Sequence, residues 1–292
     1  NDLNSNWYEN LSPDLKSYYA PAQGKTGSQL FDALHTIISK NNNIKDYGDS
    51  KSYMYAVGDN QKSNGTTGLF DAYSFAFLPG AGGNGNSYKE KADENKDGSP
   101  NDFINCEHTW PQSFFDKKLP MVADMHHLFP TLSVPNNMRG HYPFGPVTGT
   151  VVYTTNGGSK LGMADKNGRQ RSLPELHKII NLPYEQKSVI MDRDFNNVFE
   201  PGDKQKGNTS RALLYFYLRY FDQNIRSGEF EKDAFWTSKV PSFIKWSEVV
   251  DPIDEHEKTR NEIIYKKQGN RNPFIDIPNL ASLIGEGVIT SK

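Results

Sequence analysis

The sequence predicts an α+β protein in which a strand–strand–helix core is embedded in a largely helical frame. Three observations predict it. Residues 102–155 hold short apolar runs broken by prolines, with clustered histidines. Within them TGTVVYTT (Thr148–Thr155) is dense in β-branched residues, which favour strands. Downstream, SLPELHKIINL, SRALLYFYLRYFDQNI and DEHEKTRNEIIYKKQG have helical spacing, the last ending at Gly269 as a C-terminal cap. No internal repeat or clean linker divides the 292 residues, so one domain over 1–292 is expected.

Taken in order, the first segment is polar and Asn-rich. SQLFDALHTIISK (Ser28–Lys40) then places Leu30, Phe31, Leu34, Ile37 and Ile38 on one helical face, with Ser28 as its cap and His35 packed or on the surface. Residues 58–101 are rich in Gly, Asn and charge, and a long surface loop is expected there. Asp93, Asn95, Asp97 and Gly98 match the front half of a calcium-binding EF-hand loop, but Ile104 stands where the twelfth-position Glu is needed. A solvated acidic turn is the better reading. ALLYFYLRYF (Ala212–Phe221), the longest apolar stretch, is interrupted by Arg219 and reads as a buried amphipathic helix.

Composition narrows the function. The net charge of −2 argues against a basic DNA-packaging protein, though not against an enzyme with a local phosphate-binding patch. A single cysteine, Cys106, rules out an internal disulfide. No run of about 18 apolar residues is present, so no membrane span is expected. The chain begins at Asn1 rather than Met, and a removed N-terminal signal is expected.

The chemistry concentrates in one window. Four of the seven histidines, His108, His126, His127 and His141, lie between 108 and 141 with Glu107, Asp124, Asn136, Asn137 and Arg139. Glu107 and His108 would face opposite sides of a regular strand, but at a strand end turning toward Pro111 they can flank one site. MHHLFP (Met125–Pro130) reads as a second strand. SVPNNMRG (Ser133–Gly140) then reads as a short helix, with Asn136 and Arg139 on one face. Glu107 and Asn136 offer oxygens that suit a hard ion such as Mg²⁺. His108 can take a proton from water. Arg139 can hold a phosphate oxygen.

These segments resemble the bacterial endonuclease I-like nucleases of the His-Me finger (ββα-metal) class. CEHTWPQS is similar to the family's E-H-x-x-P strand end, and DMHHLFPTLSVPNNMRG to its D-x-H-[HN]-L-x-P…N-x-x-R helix entry. FEPGDKQKGNTSRA, QGNRNPF and the early YYAPAQGKTGSQLFDALHTII and FDAYS stretches match in family order. The resemblance implies His108 as general base, one divalent metal on Glu107 and Asn136 (Mg²⁺, with Mn²⁺ or Ca²⁺ as alternatives), and cleavage of DNA and often RNA to 5′-phosphate products with little sequence preference. It places Arg139, Arg211, Gln268, Asn270 and Asn272 at motif positions suited to substrate or phosphate binding. It also implies a secreted, periplasmic or surface location; a monomer is expected because the motifs need no partner chain. Two departures stand out: Cys106 precedes the Glu-His pair, and Lys206-Gly207-Asn208 replaces K-G-D, removing a carboxylate.

Other readings of the same residues stay open. Asp124 either orients a neighbour or holds a turn. His126 is expected behind the site, with His127 as packing and His141 as structural. A zinc site at Cys106, His108, His126 and His127 has no usual ligand spacing. Lys117, Lys118, Lys204, Lys206, Lys266 and Lys267 form a solvated face or in part line a groove. The functional alternative to a nuclease is a catalytically silent surface binding module on a nuclease scaffold.

Overall fold

The computed structural model describes residues 5–40, 43–80, 97–99, 101, 103–228 and 231–292. It is a mixed α+β fold built from small antiparallel sheets and many helices. Helix α1 (Pro13–Tyr18) starts behind Ser12, whose side chain caps it. Helix α2 (Gly27–Ile38) buries the expected apolar face, Leu30, Phe31, Leu34, Ile37 and Ile38. Its N-cap position is Thr26 rather than Ser28, because the helix begins one residue before the serine. Helix α3 (Tyr47–Tyr53) follows, capped by Asp46.

The loop expected over 58–101 is not loop throughout. Strands β1 (Gln61–Ser63), β2 (Thr66–Phe70) and β3 (Phe77–Pro79) form an antiparallel sheet there. The Asn64–Gly65 turn has positive φ at both residues, so the polar Asn-Gly content marks a hairpin turn rather than a break in structure. The EF-hand-like run falls largely outside the described residues. Within it, Asp97 accepts a hydrogen bond from the Ser99 main-chain N–H.

The expected strand–strand–helix is present, with a shifted second strand. Strand β4 (Ile104–His108) pairs antiparallel with β5 (Leu128–Leu132), in register Glu107 opposite Phe129 and His108 opposite Leu128. The strand expected over Met125–Pro130 begins only at Leu128, because Met125–His127 forms a 3-10 turn capped by the Asp124 side chain. His126 and His127 therefore sit on a turn, and strand alternation does not decide their directions. β5 runs directly into α4 (Ser133–Arg139), which stops at Gly140 with φ 55°.

Strand β6 (Thr150–Thr154) lies within the expected β-branched run and pairs with β7 (Lys160–Asp165). Helices α5 (Leu173–Ile180) and α6 (Tyr184–Asp194) lead into β8 (Phe195–Glu200), which pairs with β7. Helix α7 (Asp203–Tyr220) is the core of the fold. Every residue from Thr209 to Tyr220 is buried, so it is enclosed on all sides rather than amphipathic. It packs against α2 and the Met125–His127 turn. Helices α8 (Lys232–Phe235) and α9 (Val240–Lys245) precede α10 (Glu255–Gln268), which ends at Gly269 with φ 90°. Three short helices, α11 (Pro273–Asp276), α12 (Leu280–Ile284) and α13 (Glu286–Ser291), complete the chain. Among the described residues no helix is long and apolar enough to cross a membrane.

Candidate active site

The site lies at the end of β4, in a cleft of about 780 Å³ lined by Glu107, His108, Gln112, Asn136 and Lys117 among others. Two adjacent residues can serve one cleft because the strand stops at His108. The chain then turns through Thr109 and Trp110 toward Pro111.

Glu107 is buried, and each carboxylate oxygen accepts a side-chain hydrogen bond. Oε1 accepts from Arg139 Nη1 at 3.0 Å, and Oε2 accepts from the Tyr73 hydroxyl. Burial pushes the Glu107 carboxyl above its ordinary value, while Arg139 and Tyr73 pull it back. A carboxylate offers about four lone-pair sites, so Glu107 keeps capacity for a further partner. Asn136 lines the same cleft, half-buried, and its side chain makes no hydrogen bond to another described residue. A carboxylate and an uncommitted amide oxygen fit a hard cation that keeps most of its water. Among the described residues there is no group of three or more His, Cys, Asp or Glu placed to hold a metal. Cys106 is buried and unbridged.

His108 is oriented by the main chain. Its Nε2 lies 2.9 Å from the Val122 carbonyl oxygen, which can only accept, so Nε2 carries the proton. Nδ1 has no partner within the described protein and keeps its lone pair. The ring is held by Tyr47 of α3 (5.1 Å between centroids), His127 (5.5 Å) and Phe115 (6.4 Å). Burial pulls His108 down to about 3, with His127, Lys51 and Arg139 adding to the fall. His108 is therefore neutral near pH 7.

Arg139 does not face the cleft. It is fully buried and donates Nε to Tyr142 O (3.1 Å), Nη1 to His108 O (2.9 Å) and Nη2 to Thr109 O (2.8 Å), besides the Glu107 bond. Its planar guanidinium also lies over the Phe144 ring, with Cζ 4.0 Å from the centroid. The expectation of a phosphate clamp is corrected: the side chain pins the strand end and offers nothing to solvent.

The other expected substrate ligands are also internal. Arg211 is fully buried, with Nε at 3.0 Å from Glu257 and Nη1 on the carbonyls of Ser247 (2.7 Å) and Asp251 (2.9 Å). Gln268 donates to Asp124 Oδ1 at 2.7 Å and to Asn270 Oδ1 at 2.8 Å. Asn270 donates to Ile38 O and the Tyr215 hydroxyl, and Asn272 caps α11 and donates to Arg211 O. Buried polar groups must be satisfied, and these satisfy one another, which leaves none directed at a phosphate. Asn208 takes part as well, accepting from Arg211 at 3.4 Å, so the missing carboxylate of K-G-D does not leave Arg211 without its neighbour. Gly207 is required by packing, since a Cβ there would sit 1.9 Å from Asp251 O.

Asp124 is the hub of this network. Oδ2 accepts from Tyr215, Arg219 and Tyr220, each at 2.7 Å, while Oδ1 accepts from Gln268 and the His126 main chain. Burial alone would raise its carboxyl, but Arg219, His126 and His127 outweigh burial and hold it well below the ordinary range. His126 points away from the cleft to Asn270 O at 2.8 Å. The two histidines thus exchange the places expected for them: His127, bonded to Met121 O at 2.7 Å, packs on His108. Met121 and Val122 belong to one 3-10 turn, so consecutive carbonyls orient both imidazoles. Sequence reasoning missed Tyr73 and Tyr47 as partners of the pair; FDAYS was the one visible signal for the first. Of the expected groove lysines, Lys117 lines the cleft, whereas Lys206 is paired with Glu200 and Asp203.

Comparison with known proteins places these segments in context. A family profile described as Endonuclease I matches residues 26–175 and 181–279. An extracellular ribonuclease of Bacillus amyloliquefaciens is 29% identical over 284 residues, covering 94% of this chain and 79% of that protein. An extracellular ribonuclease of Bacillus subtilis (strain 168) is 29% identical over 283 residues, 93% of this chain and 79% of the relative. A periplasmic deoxyribonuclease of Aeromonas hydrophila is 26% identical over 158 residues, 53% of this chain and 48% of the relative.

Proposed function

Because the chain belongs to the endonuclease I family, we propose that it is a divalent-metal-dependent endonuclease that hydrolyses nucleic-acid phosphodiesters with little sequence preference. DNA is the substrate class implied by the motifs, and RNA is a second one. The relatives are named for both, two as ribonucleases and one as a deoxyribonuclease. Their extracellular and periplasmic names support action outside the cytoplasm.

One observation carries the reading: His108, whose Nδ1 has no partner among the described residues, lines the same cleft as Glu107 and Asn136. In this reading β4, β5 and α4 form a ββα-metal core. Glu107 and Asn136 would hold one divalent ion, Mg²⁺ first. When bound, such an ion supplies charge stabilisation to the phosphate and the leaving oxygen. His108 takes a proton from the attacking water at Nδ1. Its Nε2–H bond to Val122 O fixes the tautomer and stabilises the imidazolium that forms. The bare cleft holds His108 at about 3, and the negative phosphate of a bound substrate raises it toward a useful base. Arg139 favours the carboxylate form of Glu107 and fixes the strand end. Attack at phosphorus with departure of the 3′-oxygen leaves a 5′-phosphate.

The test is cleavage of plasmid DNA and of a structured RNA with Mg²⁺, with excess chelator, and by His108→Ala. Mg²⁺-dependent cutting that is lost in the variant is the expected result. Binding without cleavage under Mg²⁺, Mn²⁺ and Ca²⁺ would overturn the catalytic reading in favour of a silent binding module.

A further inference from the structure

The catalytic cleft does not end at its own walls. A second cavity of about 1090 Å³ adjoins it, and the two share Ser113 and His141. His141 stands at this neck with its ring against Phe114 (6.2 Å) and Tyr142 (5.0 Å), held by Asp192 at 2.9 Å. Its side chain remains 29% exposed and Phe114 is half-buried, so the pair forms an aromatic step between the cavities. Bases of any sequence stack on such rings.

Beyond the step, Lys166 and Lys239 line the second cavity. Neither forms an ion pair with a carboxylate of the described residues. Lys166 donates Nζ to the Asp192 main-chain oxygen at 2.6 Å, and the Lys239 ammonium has no hydrogen-bond partner among the described residues. Partial burial lowers the Lys239 ammonium, so an incoming anion would be favoured there. Asn197 adds an acceptor without a donor: its amide NH₂ bonds to Met191 O and Phe195 O, leaving Oδ1 buried and unpartnered. Asp116, Asp192 and Glu231 also line the cavity. The mixed charge suits bases and one or two phosphates better than the continuous backbone of a duplex.

We propose that this second cavity is a flanking-nucleotide subsite: a single-stranded segment of the substrate crosses the neck, stacks a base on the Phe114–His141 step and sets a phosphate against Lys239. The inference rests on the nuclease reading of the adjoining cleft.

The test is a binding series with end-labelled single-stranded oligonucleotides of increasing length. It uses the full chain with chelator, and the His108→Ala protein, so that nothing is cut. Affinity should rise about tenfold when the oligonucleotide becomes long enough to cross the neck, the scale of one stacked base. That length-dependent gain should fall at least about threefold in Lys239→Gln and in Phe114→Ala. It should persist in Lys62→Gln, which removes the same charge from strand β1, where Lys62 lines neither cavity. Thermal melts confirm folding, and Lys239→Gln alone decides if Phe114→Ala does not fold. Absence of any gain, its retention in both variants, or an equal fall in Lys62→Gln would overturn the subsite. If the wild type fails to cleave with Mg²⁺ while the gain behaves as expected, the catalytic reading falls and the subsite stands.

Discussion

Arg139 Nη1 lies 3.0 Å from Glu107 Oε1 and 2.9 Å from His108 O, so one buried cation fixes both members of the Glu-His pair. The carboxylate is oriented by its charge and the histidine by its main chain. The arginine that the motif suggested for substrate is instead the brace behind the site.

Replacing that brace should unfold rather than merely slow the protein. Arg139→Ala leaves the buried Glu107 without its cation, a loss of about 3–5 kcal/mol for broken buried pairs. Arg139→Lys should lose much of the same, because one ammonium cannot reproduce four bonds in a planar fork. The check is a denaturant melt. An Arg139→Lys protein with wild-type stability and no turnover would show that the side chain acts on substrate after all.

His108→Ala should lose about 10²–10⁴-fold in turnover, the usual contribution of a positioned base. Metal affinity, read by calorimetry, should survive. Near-wild-type cleavage by this variant would remove the general-base role.

Tyr73→Phe removes the hydroxyl donor to Glu107 Oε2. That bond favours the carboxylate form and lowers its pKa. Its loss should therefore move the acid limb of activity to higher pH and weaken Mg²⁺ binding at low pH. A profile unmoved on the acid side would mean that the Glu107 ionisation does not limit the reaction.

Stability should fall on mild acidification. Burial lowers His108 to about 3 and His126 and His127 to about 4, from an ordinary value near 6.5. Each therefore binds fewer protons folded than unfolded between those values. The stability they permit is full above about pH 6.5 and is lost as pH falls toward 4, by up to about 1.4 kcal/mol per pH unit per histidine. Melts recorded from pH 7 to 4 read this directly, and a flat series would mean that the rings protonate without unfolding.

Chelation should stop cleavage without unfolding the chain. Glu107 already has Arg139 and Tyr73 as partners, so the fold does not depend on a cation. Circular dichroism with and without chelator should coincide. Loss of structure on chelation would point to a structural ion elsewhere.

Much of this protein was legible from its residues alone. β-branched density gave strand β6 within Thr148–Thr155, helical spacing gave α2, α5, α7 and α10, and the Gly140 and Gly269 stops were visible as backbone requirements. Glu107, His108 and Asn136 were drawn together by their order and spacing, and they line one cleft. These are local properties, set by a few neighbouring side chains and by main-chain geometry. What the tertiary structure decided is which polar groups remain available. Arg139, Arg211, Gln268, Asn270 and Asn272 have the chemistry of phosphate ligands, yet each is enclosed by partners from distant segments, such as Asp124 with Gln268 and Glu257 with Arg211. His126 and His127 are adjacent in sequence, and only the Met125–His127 turn directs one to Asn270 and the other to His108. A side chain's type fixes what it can bind; whether it faces a cleft or a buried partner depends on long-range packing, which spacing along the chain does not encode.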